Sequence, residues 1–118
     1  MEIDELKTLV IDALEDLKGE AIEYINLKDM SSFTDAMVIV SGTSTRQVKA
    51  LANNVISCAK QHGITPLGVE GENYGEWVLV DLGDIVVHVM LPEIRDFYNL
   101  EKLWKLELLD KGKEAADT

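Results

Sequence analysis

The side chains that could do chemistry in this sequence are two histidines, one cysteine and several carboxylates. His62 and His88 lie far apart in the chain, and neither has the spacing to a second His or Cys that a metal site requires. His88 could pair with Asp81, although without a nearby nucleophile it is more often a hydrogen-bonded structural residue. Cys58 falls beside the apolar stripe of a predicted helix, which favours a buried hydrophobe over a nucleophile. We therefore predict no catalytic residue, no metal and no cofactor.

The segment Ser41-Gly42-Thr43-Ser44 lies at a predicted strand-to-helix turn, where the N–H groups of a helix start can bind an anion. It lacks the Gly-Lys-Ser/Thr ending of a phosphate-binding loop and the three glycines of the dinucleotide fingerprint. A nucleotidyltransferase would also need metal-binding carboxylates soon after such a turn, and residues 36–69 contain no Asp or Glu. We interpret the turn as a helix N-cap, with a degenerate nucleotidyltransferase-like nucleotide site as the alternative.

A β-hairpin is the element that must position His88 and Asp81. Two apolar runs, 77–82 and 85–91, flank the Gly83-Asp84 step, and this pattern predicts a two-residue hairpin loop. Side chains alternate between the two faces of a strand. The aliphatic face comprises Val78, Val80, Leu82, Ile85, Val87 and Val89, and we expect helices to cover it. The mixed face comprises Trp77, Leu79, Asp81, Val86, His88 and Met90.

Hydrophobic periodicity predicts the remaining elements. Helices are predicted at 3–18, 45–62 and 100–108, and strands at 21–27, 36–41, 64–70 and in both arms of the hairpin. Gly19 and Gly63 are expected to end the first two helices. The strand–helix–strand unit at 36–70 predicts a parallel pair with a right-handed crossover. The fold class is therefore α/β: a single domain with a mixed, mostly five-stranded sheet flanked by helices, in the order α-β-β-α-β-β-β-α.

Charge and length restrict the partners and the cellular location. Residues 1–109 are predicted to form the domain and residues 110–118 a flexible polar tail. The chain has 11 basic and 22 acidic residues and a net charge of −11, so we expect no direct DNA contact, little RNA contact and a preference for a basic protein. No apolar run reaches the ~18–20 residues that span a bilayer, so no membrane contact is expected. A single cysteine fits a reducing cytoplasm.

A set of short motifs extends over nearly the whole chain, from about Ile3 to Trp104. They are Thr34-Asp35, Ser41-Gly42-Thr43-Ser44, Arg46-Gln47-Val48, Gly68-Val69-Glu70-Gly71, Trp77 to Asp84, Val87-His88-Val89, Arg95, Tyr98 and Leu100-Glu101-Lys102-Leu103-Trp104. In combination they resemble the Iojap family of ribosomal silencing factors, although each motif alone is not specific. Two residues depart from the family pattern: Asn26 and Ala21 stand where the family usually has acids.

The resemblance implies a homodimer that binds the large ribosomal subunit through the basic ribosomal protein numbered fourteen, on the face where the small subunit docks. A bound factor would block subunit joining and repress translation when nutrients run short. The predicted partner-binding residues are Glu70, Gly71, Trp77, Asp81, His88 and Tyr98. Trp77 would be the central aromatic anchor, with Asp81 as the charged contact and Glu70 and Tyr98 at the rim. Alternatively, Trp77 packs under the C-terminal helix with Trp104.

Three functions therefore compete at the level of sequence. The first is a non-enzymatic ribosomal silencing factor that acts in the cytoplasm. The second is the degenerate nucleotidyltransferase-like protein, and the third is a dimeric adaptor with no ribosomal role. They differ in what they bind, since the first needs the large subunit and the second a nucleotide.

Overall fold

The computed structural model describes residues 1–29 and 34–102, and its elements follow the predicted order. They are α1 (Ile3–Asp16), β1 (Glu20–Asn26), β2 (Ala36–Ser41), α2 (Thr45–Gln61), β3 (Gly68–Glu70), β4 (Trp77–Asp81), β5 (Ile85–Met90) and α3 (Pro92–Tyr98). The predicted α/β class with a mixed five-stranded sheet is confirmed. Residues 100–102 are helical, while the rest of the helix predicted at 100–108 and the tail at 110–118 lie outside the described residues.

The sheet has the strand order β1-β2-β5-β4-β3, in which only β2 and β5 pair in parallel. The predicted pairing of the strands at 36–41 and 64–70 is therefore wrong. β3 pairs with β4 in the antiparallel direction, and the hairpin occupies the positions between it and β2. The reason is burial: β5 is aliphatic enough for the centre of a sheet, whereas β3 has only three residues. Residues 64–67 are not strand, in keeping with Pro66, which has no N–H to donate.

The hairpin has the predicted register, with Val78 opposite Val89 and Val80 opposite Val87. The aliphatic face of the hairpin is almost wholly buried. It packs with the apolar stripes of α1 and α2 in the main core, which also contains Leu6, Val10, Leu14, Val48, Leu51 and Val55. Burying one such side chain contributes roughly 1.5–3 kcal/mol. The expectation that helices cover this face is confirmed, and the mixed face lies on the other side of the sheet.

The residue that terminates α1 in the left-handed conformation differs from the prediction by one position. Lys18, not Gly19, takes the left-handed conformation after the helix, with a φ of 61°. The N–H groups of Lys18 and Gly19 donate to the carbonyls of Glu15 and Leu14, which is the hydrogen-bond pattern of a Schellman motif. Gly19 serves close packing instead, because a Cβ there would lie 2.7 Å from Cγ2 of Val40.

A second, smaller core lies under α3 on the side of the mixed face. It consists of Ile25, Leu27, Met37, Ile39 and Met90, with Trp77, Ile94 and Leu100 packed against it. The short helix α3 and the start of the following helical segment therefore cover one part of this side, near β1, β2 and β5. None of the helices within residues 1–29 and 34–102 has both the length and the apolar character to cross a membrane.

Candidate functional site

Trp77 and His88 are joined by a hydrogen bond on the mixed face. Nε1–H of Trp77 donates to Nδ1 of His88 at 2.9 Å. An indole nitrogen only donates, so Nδ1 must be unprotonated and the neutral ring carries its proton on Nε2. The imidazole is buried, and this desolvation lowers the pKa of His88 from 6.5 to about 4. His88 is therefore a neutral hydrogen-bond acceptor near pH 7, as the structural interpretation predicted.

The His88–Asp81 pair that the sequence allowed does not form, although both residues are described. Oδ1 of Asp81 accepts a hydrogen bond from the backbone N–H of Gly83 at 2.8 Å. A carboxylate two residues before a turn amide readily makes this local bond. Asp81 therefore stabilises the hairpin loop, and its half-buried carboxylate lies at the loop end of the mixed face.

Tyr98 brings α3 into contact with the hairpin. Its ring lies 4.9 Å from the ring of Trp77 at an interplanar angle of 50°, and Phe97 meets Tyr98 edge-on at 5.1 Å. Tilted pairs of this kind add about 0.5–1.5 kcal/mol beyond their buried area. We call Trp77, Phe97 and Tyr98 the aromatic cluster. Phe97 is 81% exposed and Tyr98 53%, whereas Trp77 is half-buried. The alternative partner of Trp77, Trp104, lies outside the described residues.

Arg95 fixes α3 to the sheet, a role that the sequence analysis did not assign. It is the buried residue of α3. Nη1 donates to Oγ of Ser41 at 2.9 Å, Nε forms an ion pair with Glu101, and Nη2 lies 3.8 Å from Oε2 of Glu23. Arg95 lies between Glu93 and Asp96, which are both exposed. The sequence therefore offered only one weak indication of this contact, an arginine within a short acidic segment. Since Phe97 and Tyr98 lie two and three residues further along α3, Arg95 also helps to position these two rings of the aromatic cluster.

Glu70 and Gly71 lie beside Trp77 at the other end of the mixed face. Together with Leu79 they line a shallow depression of about 210 Å³. Gly71 has a φ of +84°, and a Cβ there would lie 2.0 Å from the carbonyl oxygen of Trp77. Glycine is therefore required by the backbone at this turn. Glu70 is exposed and faces Leu79 across the β3–β4 ladder.

The mixed face has an apolar centre with carboxylates at both edges. One row of paired positions crosses the whole sheet: Glu23, Ile39, His88, Leu79 and Glu70. His88 is neutral there, and the guanidinium of Arg95 is already matched by Glu101 and Glu23. The face therefore has negative character at its edges. Of the six predicted residues, three are in direct contact (Trp77, His88, Tyr98), Glu70 and Gly71 adjoin Trp77, and Asp81 stands apart at the loop.

The turn between β2 and α2 is a capped helix start. Oγ of Ser44 accepts from the N–H of Gln47 at 3.1 Å. Oε1 of Gln47 in turn accepts from the N–H and the hydroxyl of Thr43 at 2.6 and 2.7 Å. Gly42 has a packing role, since a Cβ there would lie 2.9 Å from Cγ2 of Val48. The N–H of Gln47 and both donors of Thr43 are thus engaged within the protein, as expected for the capped-helix interpretation of this turn.

Comparison with known proteins finds a matching family over nearly the whole chain. Residues 1–117 match the family RsfS, described as "Ribosomal silencing factor during starvation". A protein named Ribosomal silencing factor RsfS from Chromobacterium violaceum is 51% identical over 104 residues, which are 88% of this chain and 85% of that protein.

Two further comparisons extend this result. A crystal structure of a Chromobacterium violaceum protein superposes with a TM-score of 0.87 at 50% identity and covers 89% of this chain and 88% of that one. A mouse protein named Mitochondrial assembly of ribosomal large subunit protein 1 is 34% identical over 93% of this chain and 50% of its own length.

Across the described ranges, no group of three or more His, Cys, Asp or Glu side chains is placed to hold a metal ion.

Proposed function

Because this chain belongs to the RsfS family of ribosomal silencing factors, we propose that it binds the large ribosomal subunit and prevents the small subunit from joining. Translation would then fall when nutrients are limiting. The role is regulatory and involves no catalysis. We expect the protein to act in the cytoplasm, where the subunits meet, and to be a homodimer when it is not bound.

The proposed contact is the mixed face together with the aromatic cluster. The observation that carries this assignment is the pair of exposed rings, Phe97 and Tyr98, of which Tyr98 packs against Trp77 on a face with acids at its edges. Aromatic residues with an apolar body and a polar rim are typical of interface centres. In this proposal Glu70 and Asp81 contribute charge, while Gly71 and His88 hold the surface in shape.

The proposed partner on the ribosome is the basic large-subunit protein numbered fourteen. A net charge of −11 favours contact with a basic protein and disfavours contact with the neighbouring RNA phosphates. The same charge therefore attracts the protein partner and discriminates against RNA. The binding unit would be residues 1–109.

Co-sedimentation with isolated subunits tests the proposal. We expect the protein to pellet with large subunits, to remain in the supernatant with small subunits, and to prevent the formation of complete ribosomes when added before mixing. Raising the salt concentration should weaken binding, since charges are screened beyond about 8–10 Å near physiological ionic strength. Equal retention by both subunits, or binding without any effect on joining, would contradict the proposal.

A further inference from the structure

A groove of about 580 Å³ separates α1 from the C-terminal half of α2. Both helices lie on the aliphatic side of the sheet, so the groove faces away from the mixed face. Its floor is apolar and includes Leu9, Ala13 and Cys58. Ala13 is buried, whereas Leu9 and Cys58 are half-buried. Its volume lies within the range of about 300–1,000 Å³ that is usual for binding pockets, so it can accept apolar side chains.

Four exposed carboxylates form the α1 side of this groove: Asp4, Glu5, Asp12 and Asp16. Asp4, Asp12 and Asp16 are separated by multiples of four residues, so they follow one row along the helix. At 1.5 Å per residue this row is about 18 Å long, which corresponds to roughly three turns of a second helix. All lining residues are described, and they include Met1 but no Lys or Arg.

Two of these acids, Asp12 and Asp16, are unfavourable for α1 itself, whereas Asp4 and Glu5 lie in its first turn, where acids are favourable. The last turn of α1 has no basic residue and contains Glu15 and Asp16, where the negative end of the helix dipole favours cations. Asp12 and Asp16 also repel each other at a spacing of four residues. If α1 only had to pack against the core, neutral or basic residues in its last turn would make the helix more stable. Local conflicts of this kind are expected at functional sites.

We propose that the α1–α2 groove binds a basic amphipathic helix of a partner protein. The apolar residues of that helix would contact Leu9 and Cys58, and its Lys and Arg side chains would pair with the row of carboxylates. Charge complementarity selects this occupant, since a neutral or acidic segment would leave the carboxylates unpaired. The site lies opposite the mixed face, so a helical partner and the ribosome could be bound at the same time. This proposal does not depend on the proposed function.

A synthetic helical peptide of about 15 residues, with leucines on one face and lysines on the other, is the probe. Its binding is measured by fluorescence anisotropy, and its site is mapped by NMR shifts of the labelled protein. The variant Asp12→Asn with Asp16→Asn should bind the peptide at least about tenfold more weakly. It should melt at the same or a higher temperature, because the repulsion within α1 is relieved.

The matched control is Glu72→Gln with Glu76→Gln, which removes two exposed charges that do not line the groove. We expect it to change the affinity by no more than about twofold. Equal losses in both double variants, or NMR shifts outside α1 and α2, would show only diffuse attraction to an acidic protein and overturn the proposal. A change in the oligomeric state of Asp12→Asn with Asp16→Asn, measured without peptide, would assign the groove to a second copy and overturn it as well.

Discussion

The two faces of one hairpin have different roles although their residues alternate along the same two strands. On the aliphatic face, all six side chains are buried under α1 and α2. On the mixed face, Leu79, Asp81 and Val86 are only half-buried, and the Trp77–His88 hydrogen bond takes the place of close aliphatic packing. The indole, the imidazole and the carboxylate stabilise the mixed face locally, and they also leave an aromatic and a charged group partly exposed there. The difference separates the part of the sequence that specifies the fold from the part available for recognition.

The largest expected effect concerns the buried imidazole of the mixed face. Because the pKa of His88 is about 4 in the folded protein and ordinarily 6.5, the unfolded chain takes up the proton first as the pH falls. The stability linked to His88 is fully present above about pH 6.5 and is lost between pH 6.5 and 4, by on the order of 3 kcal/mol. Urea unfolding across this range measures it.

The control for this prediction is His88→Gln, which keeps an acceptor for the indole N–H of Trp77 but does not titrate. Its stability should depend less steeply on pH between 6.5 and 4 than that of the parent protein. Carboxylates also titrate in this range, so only the difference between the two proteins is informative. The same slope in both would mean that His88 is not held neutral by the fold.

The next effect compares the two faces directly through adjacent residues of β4. Val80 is fully buried on the aliphatic face, so Val80→Ala should lower the free energy of unfolding by roughly 1–3 kcal/mol. Leu79→Ala, one position earlier on the mixed face, removes more atoms but from a half-buried site, and should cost less. Chemical denaturation of the two variants tests this order, and a reversed order would remove the distinction between the faces.

The smallest effect on folding is expected for Asp81→Asn. The amide oxygen can still accept from the N–H of Gly83, so the free energy of unfolding should change by less than about 0.5 kcal/mol. The loss of one acid should nevertheless slow association with large subunits and reduce the salt dependence of binding. Stopped-flow measurements at two salt concentrations test this. An unchanged association rate would remove Asp81 from the proposed contact.

The hairpin was predictable because a two-residue loop fixes the register, and the register fixes the faces. The partner of His88 was not predictable in the same way. Trp77 and Asp81 lie opposite Met90 and Val86, so both are diagonal neighbours of His88. Sequence spacing alone therefore does not show which of the two bonds to His88. In the structure, the backbone N–H of Gly83 donates to the carboxylate of Asp81, and Trp77 is the residue that bonds to His88.

Long-range pairing was the other limit of the sequence analysis. The strand β3 pairs antiparallel with β4 and is separated from β2 by two strands, because the hairpin inserts between them. No local pattern in β3 indicates this. Similarly, Arg95 meets Ser41 across 54 positions of sequence, so its role in holding α3 follows only from the folded sheet.

Trp77→Ala is a less direct test of the interface than the sequence suggested. Trp77 is half-buried and bonded to His88, so its loss should lower stability as well as binding. Tyr98 is 53% exposed at the surface of the same cluster, and its removal leaves both cores in place. An effect on binding in Tyr98→Ala can therefore be separated from an effect on folding.

The affinity of folded Tyr98→Ala for isolated large subunits tests the central claim most directly. If the aromatic cluster is the centre of the contact, the affinity should fall by about thirtyfold, corresponding to ~2 kcal/mol, while the unfolding midpoint stays close to that of the parent protein. If Tyr98→Ala binds large subunits as tightly as the parent, the mixed face is not the ribosome-binding surface.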